Sequence, residues 1–309
     1  MKLEFTLIKY ITPLLLLSFN AYAAALSDTA LADKAQACNT ALNNGDMAAA
    51  SKAVDEVLRQ QANHHEGLLC KGRVLGAQSN YQDALATLAQ AVKSAQPGFE
   101  EIINHLLIGN LHKNNQQYSQ AIASYEKSLN ICEAEKNNKF KHINLNLIGE
   151  SQALNGDLNV ALSSYLAASK LANNDNERAD SFERLGATYS ALSQHDKAIE
   201  YQLKGVLMQK KAGSLDQFAN ASLEMGRIYT AAKDYANAEK TLTKLAQFSK
   251  DNGGAYYEAK SNYLLAQAKL QAGDAASAKA LLIGAYSQAS SLGEGALAAE
   301  IDASLKKIK

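Results

Sequence analysis

Three cysteines (Cys38, Cys70, Cys132) and six histidines (His64, His65, His105, His112, His142, His195) are the side chains of this 309-residue chain best suited to metal binding, nucleophilic attack or proton transfer. Their spacing supports little of that chemistry. The cysteines lie 32 and 62 positions apart, so there is neither a C-x-x-C pair nor a zinc-finger framework. His105 and His112 share a helix face and His142 opens a later segment, but all three fit packing or boundary positions better than a ligand set. His65-Glu66 lacks the second histidine of a metalloprotease helix, and no G-x-S-x-G occurs. The run Gly67 to Arg73 imitates half a P-loop but lacks its Lys-Ser/Thr ending. Acidic residues are scattered, with no isolated apolar pair to raise a carboxyl pKa. The expectation is therefore no catalytic, metal or cofactor site, and a protein that is not an enzyme.

The elements that must position any binding residue follow from composition. Lys+Arg and Asp+Glu are both 31, without the basic excess of a phosphate-backbone binder, so no nucleic-acid partner is expected. Lys210-Lys211 and Lys306-Lys307 are the only adjacent basic pairs. Trp is absent, Pro occurs twice and Ala about 55 times; Ala is the best helix former and Pro the worst, so the chain reads as helix nearly throughout. The 14 Tyr mostly occupy packing positions, while Tyr256, Tyr257 and Tyr263 are freer and suggest a surface patch.

The N-terminus reads as a targeting segment. Lys2 and Lys9 precede an apolar run from Tyr10 to Phe19, then Ala21-Tyr22-Ala23 supplies small residues for cleavage. The run is too short to span a bilayer, which takes about 20 apolar residues. Residues 1–23 are expected to be a cleaved signal peptide, leaving a periplasmic or secreted protein with no stable membrane insertion.

Internal repetition is the main signal. Seven units start near Leu31, His65, Ile102, His142, Ala179, Ala219 and Ala259. One column reads Cys38, Gly72, Gly109, Gly149, Gly186, Gly226, Ala266; a second reads Ala50, Ala84, Ala121, Ala161, Ala198, Ala238, Ala278. Small residues on both helices of a hairpin would let the two backbones touch. The turns Asn44-Gly45-Asp46, Asn155-Gly156-Asp157 and Ala272-Gly273-Asp274 place Gly to end one helix and Asp to cap the next; polar residues such as Asn114, Asn115 and Gln116 serve elsewhere. Cys38 and Cys70 fall on first helices of adjacent units, but two columns out of step. Three buried or free thiols are expected, with a Cys38–Cys70 disulfide as the alternative.

The pattern resembles the tetratricopeptide repeat (TPR) family. Leu185, Gly186, Tyr189 and Ala198, with Gly156, Asp157 and Ala161, stand where that family's signature residues stand. The family's frequent opening Trp is replaced by His105, Leu145 or Phe182, and its closing Pro appears only near Pro97. The resemblance implies an all-α solenoid, a right-handed superhelix of about seven helix hairpins over 24–294. Its repeats lie near 31–64, 65–98, 102–135, 142–175, 179–212, 219–252 and 259–292. Residues 295–309, with Leu297, Ile301, Leu305 and Ile308 on one face, would form a C-terminal capping helix; the rival reading is a partner-binding amphipathic helix.

In the resembled family, ligand peptides lie along a concave wall of first helices. The wall residues expected here are Asn39, Leu69, Arg73, Ile103, Leu106, Asn110 and Asn146. Asn amides donate to and accept from an extended backbone, Arg pairs with a carboxylate, and the apolar residues take side chains. The expected function is an exported scaffold or adaptor binding a protein or extended peptide, in cell-envelope assembly or regulation. The alternative is a peptide-sensing regulator acting on a separate effector.

Overall fold

The computed structural model describes residues 29–308; the proposed signal segment, residues 1–23, lies outside them. The described residues form fifteen α-helices and no strand. They divide into two compact units, with the boundary between Glu135 and Lys136. The N-terminal unit holds three hairpins: α1 (residues 29–43) with α2 (Met47–Gln60), α3 (His65–Ala77) with α4 (Tyr81–Ser94), and α5 (Phe99–Asn114) with α6 (Tyr118–Ala134). The C-terminal unit holds four: α7 (Asn138–Leu154) with α8 (Leu158–Ser169), α9 (Asp175–Ala191) with α10 (His195–Ala212), α11 (Leu215–Ala231) with α12 (Tyr235–Asp251), and α13 (Ala255–Gln271) with α14 (Ala275–Ser291). The helix α15 (Gly295–Leu305) closes it. Within each unit every hairpin packs on the next in chain order, which makes each an all-α solenoid.

The two small columns do different work from the direct backbone contact expected of them. All seven alanines, from Ala50 to Ala278, are fully buried. The glycines instead receive a side chain from the second helix, four residues beyond the alanine. A Cβ on Gly72 would lie 2.6 Å from Leu88, one on Gly226 2.5 Å from Leu242, and one on Gly109 2.3 Å from the Tyr125 ring. Gly149 faces Tyr165 and Gly186 faces Gln202 in the same way. Gly is therefore a socket, and the residue it admits varies in size from repeat to repeat. Gln202 is polar and fully buried; its amide donates to the Ala221 carbonyl of the following hairpin at 2.8 Å, which offsets part of the cost of burying it, while its Oε1 is buried with no hydrogen-bond partner.

The turn inside each hairpin is left-handed at one position. Gly45, Gly156 and Gly273 have φ of 78°, 92° and 87°, and the equivalent positions in the other four hairpins are Ser79, Gln116, Ser193 and Lys233, with φ between 57° and 61°. At this position the chain reverses and two backbone N–H groups return to the helix just ended, as with Asp46 N–H to the Ala41 carbonyl at 2.9 Å. Asp46 and Asp274 cap the next helix through their side chains, at 2.9 and 3.1 Å. Asp157 does not; its carboxylate accepts from Asn155 Nδ2 at 2.7 Å.

Cys38 and Cys70 form a disulfide between α1 and α3, with Cα atoms 6.4 Å apart, while Cys132 is a buried thiol outside any disulfide. This corrects the expectation of three thiols. The columns are two residues out of step along the chain, but the Cα separation still falls inside the bridging range. At the other end, Leu297 and Ile301 of α15 are buried in the last core cluster, and Leu305 and Ile308 pack against it. Lys260 pairs with Glu300 at 2.7 Å across the same junction. This helix hides the apolar face of the final hairpin.

Candidate functional site

The first helices α1, α3 and α5 turn one polar and apolar face outward, enclosing a cleft of about 600 Å³. On α5 the lining residues Ile103, Leu107 and Asn110 follow one another by four and three positions, one face of a helix. On α3 they are Glu66, Leu69 and Arg73, and on α1 Gln36 and Asn39. His65, Phe99 and Glu100 complete the rim. Phe99 stands 58% exposed, a large apolar side chain offered to solvent.

Five of the seven residues expected from sequence line this cleft: Asn39, Leu69, Arg73, Ile103 and Asn110. Two do not. Leu106 and Asn146 are each only 7% exposed and belong to the interior. Both stand four residues before the lining position of their helix, the column Leu69 occupies in α3. In α3 the next position is Cys70, held inward by its disulfide, and Leu69 is left on the wall. In α5 and α7 no such tie exists and the column faces the core. Asn146 lies in the C-terminal unit, its amide 3.1 Å from His142 Nε2.

The polar groups of the cleft are partly committed to one another. The Arg73 guanidinium donates to Asn39 Oδ1 and, at 3.1 Å, to Asn43 Oδ1, tying α3 to α1. Asn39 Nδ2 returns to the Ala35 carbonyl at 3.3 Å. Asn39 is thus a brace, with both ends of its amide engaged within the protein. Asn110 differs: its Oδ1 accepts from the Tyr125 hydroxyl at 2.7 Å, which orients the amide with its N–H groups outward. The socket at Gly109 is what brings the Tyr125 ring there, so one small residue sets up the next residue's hydrogen bond. His65 Nδ1 is 3.2 Å from the Ala91 carbonyl, and its Nε2 is 3.7 Å from Glu100.

The first-helix wall of the C-terminal unit is different in kind. Arg184 lies 2.8 Å from Asp180 and 3.7 Å from Glu150, and Arg227 pairs with Glu224 at 3.1 Å. Burial holds the Glu183 carboxyl above its usual range, against a hydrogen bond from Gln209. Arg184 and Arg227 on this wall are already paired.

Of the histidines weighed as ligands, His112 is hydrogen-bonded to the Tyr81 hydroxyl at 2.7 Å and His142 to Asn146. Burial holds His105 below the usual imidazole range. No group of three His, Cys, Asp or Glu side chains among the described residues is arranged to hold a metal ion.

The profile of the tetratricopeptide repeat matches residues 104–135 and 179–211. Those two segments are tetratricopeptide repeats. Solved structures built of such repeats resemble this chain in fold. A signal-transduction ATPase with a tetratricopeptide-repeat sensor from Pyrococcus horikoshii aligns with a TM-score of 0.71 at 16% identity, over 87% of this chain and 44% of that one. A Rap protein complexed with competence and sporulation factor gives 0.54 at 14% identity, over 84% and 79%. PilW, a type IV pilus biogenesis factor, gives 0.58 at 16% identity, over 70% and 92%. No curated protein sequence matches this chain.

Sequence reasoning missed Gln36, His65, Glu66, Phe99, Glu100 and Leu107. Leu107 was legible, being four after Ile103 and three before Asn110, a closer fit to one helix face than Leu106. Phe99 opens α5 outside any repeat column, so only the folded chain shows its exposure.

Proposed function

We propose that this protein is a non-catalytic, exported TPR adaptor that binds an extended protein segment in the cleft of α1, α3 and α5, in cell-envelope assembly or regulation. The observation that carries this reading is the cleft itself: Leu69, Ile103, Leu107 and Phe99 offer apolar contact beside an Asn110 amide already oriented by Tyr125. An extended segment places successive side chains on alternate sides, so one set reaches the apolar residues while a backbone carbonyl accepts from Asn110. Arg73 has no carboxylate within ion-pair distance among the described residues, and it suits an acidic group on the segment. Export is supported by the charged start, apolar run and Ala21-Tyr22-Ala23 of the sequence. The Cys38–Cys70 bond adds support, because such bonds persist in oxidising compartments. A peptide-sensing regulator is the second reading, favoured by the likeness of fold to the Rap protein solved with its factor.

The test begins with intact mass after expression with export, where a chain starting at Ala24 is expected and a full-length cytoplasmic protein refutes the location. A partner captured from envelope extract is then titrated against Leu69→Ala/Asn110→Ala. One lost hydrogen bond costs about 0.5–1.5 kcal/mol and the lost apolar contact adds to it, so binding should weaken about tenfold. Arg227→Ala, in the other unit, should leave it unchanged. Unaltered binding by the double variant refutes the cleft assignment. A short peptide as the sole partner selects the second reading.

A further inference from the structure

A second cleft lies in the C-terminal unit, on the face made by second helices, and it goes beyond the reading above. Two stripes run along it. On α10 they are Leu203, Val206, Leu207 and Lys210; on α12, Thr241, Lys244, Leu245 and Phe248, each at spacings of three, one and three. With Leu215 and Phe218 of α11 between them, they enclose about 630 Å³. Leu207 is 58% exposed, Leu203 43% and Phe248 40%, three of the ten exposed large apolar side chains among the described residues, gathered in one place. Scattered exposed leucines need no explanation, but a contiguous apolar groove does.

The charges say what covers it. Lys210 and Lys244 are the only charged residues lining the cleft, one from each wall, and no carboxylate lines it. Neither has an ion-pair partner among the described residues, whereas Lys204 pairs with Glu200 at 2.6 Å and Lys269 with Glu239 at 2.8 Å. Gln209 also lines the cleft, with its Oε1 accepting no hydrogen bond. We infer that this groove docks an amphipathic helix of a protein partner, whose apolar stripe fills the space between α10 and α12 and whose flanking acidic residues meet Lys210 and Lys244. Two walls with helical spacing suit a helix laid between them, and paired lysines at the rim select acidic over basic flanks.

The test uses the mature chain and two synthetic 18-residue helical peptides sharing one leucine stripe, one flanked by glutamates and one by lysines. The glutamate peptide should bind at least about tenfold tighter by calorimetry. Leu207→Asp should abolish that binding, and Lys210→Glu/Lys244→Glu, a purely surface change, should invert the preference between the peptides. Equal affinity for both peptides, no binding of either, or a preference unmoved by the charge reversal overturns the inference. So does concentration-dependent dimerisation in sedimentation that Leu207→Asp removes, which makes a second copy the occupant. Oleate binding lost in Leu207→Asp without peptide binding also overturns it, in favour of an acyl chain.

Discussion

Replacing Gly109 by Ala separates a socket glycine from one that is merely tolerated. In most helices the change is favourable, since Ala exceeds Gly by about 1 kcal/mol in helix propensity. Here the added Cβ falls 2.3 Å from Tyr125 Cε1, 2.5 Å from Cδ1 and 2.8 Å from Cζ. The Tyr125 ring is fully buried and its hydroxyl is held by Asn110, so it cannot swing away as the tip of a surface side chain would. Overpacking of this kind costs about 1–3 kcal/mol, and three close ring contacts place it in the upper half of that range. Net of the propensity gain, Gly109→Ala should destabilise by about 1–2 kcal/mol. Gly284 on α14 has nothing within 4 Å of its added Cβ, so Gly284→Ala should stabilise by up to about 1 kcal/mol. Urea unfolding followed by far-ultraviolet circular dichroism measures both. The two variants should move the midpoint in opposite directions, and in a Tyr125→Ala background, which removes the ring, the penalty of Gly109→Ala should shrink by more than half; a Leu there would still crowd the Cβ, as Leu88 and Leu242 do at Gly72 and Gly226. A Gly109→Ala protein as stable as Gly284→Ala would refute the socket reading. A penalty unchanged by Tyr125→Ala would refute the identity of its occupant.

Three further outcomes follow from the fold. With Cys38 and Cys70 at a sequence separation of 32, the chain-entropy model gives the disulfide about 3–4 kcal/mol; unreduced, denatured protein should titrate one thiol, and three would refute the bond. Ser193 and Lys233 carry left-handed φ of 57° and 59°, so Ser193→Gly or Lys233→Gly should each raise stability by about 0.5–1 kcal/mol, and a loss in either would show that the side chain matters more than the turn. Ile301 is fully buried under the last hairpin, so Ile301→Ala should cost about 2–5 kcal/mol and ending the chain at residue 294 should promote self-association in sedimentation; a stable truncated monomer would mean α15 is no cap.

The sequence alone was enough for the architecture, because repetition averages over local ambiguity. Seven alanines and five glycines in step, with polar or glycine turns between, require seven like hairpins whatever any one of them prefers, and the apolar spacing of Leu297, Ile301, Leu305 and Ile308 closes the array. Part of the cleft was also legible, since Asn39, Leu69, Arg73, Ile103 and Asn110, five of its eleven lining residues, follow from helical periodicity on first helices. What stayed hidden depended on helix rotation and on contacts between distant positions. A turn of a few tens of degrees about its axis decides whether a residue four before the wall position faces the cleft, as Leu69 does, or the core, as Leu106 and Asn146 do. Periodicity gives the angle between residues on one helix but not the absolute rotation, which packing sets. Likewise no spacing rule tells whether Gly109 meets a backbone or the Tyr125 ring, or that Cys38 and Cys70 come within 6.4 Å. Those facts exist only once neighbouring helices have filled each other's grooves, because close packing couples every side chain to the one across from it.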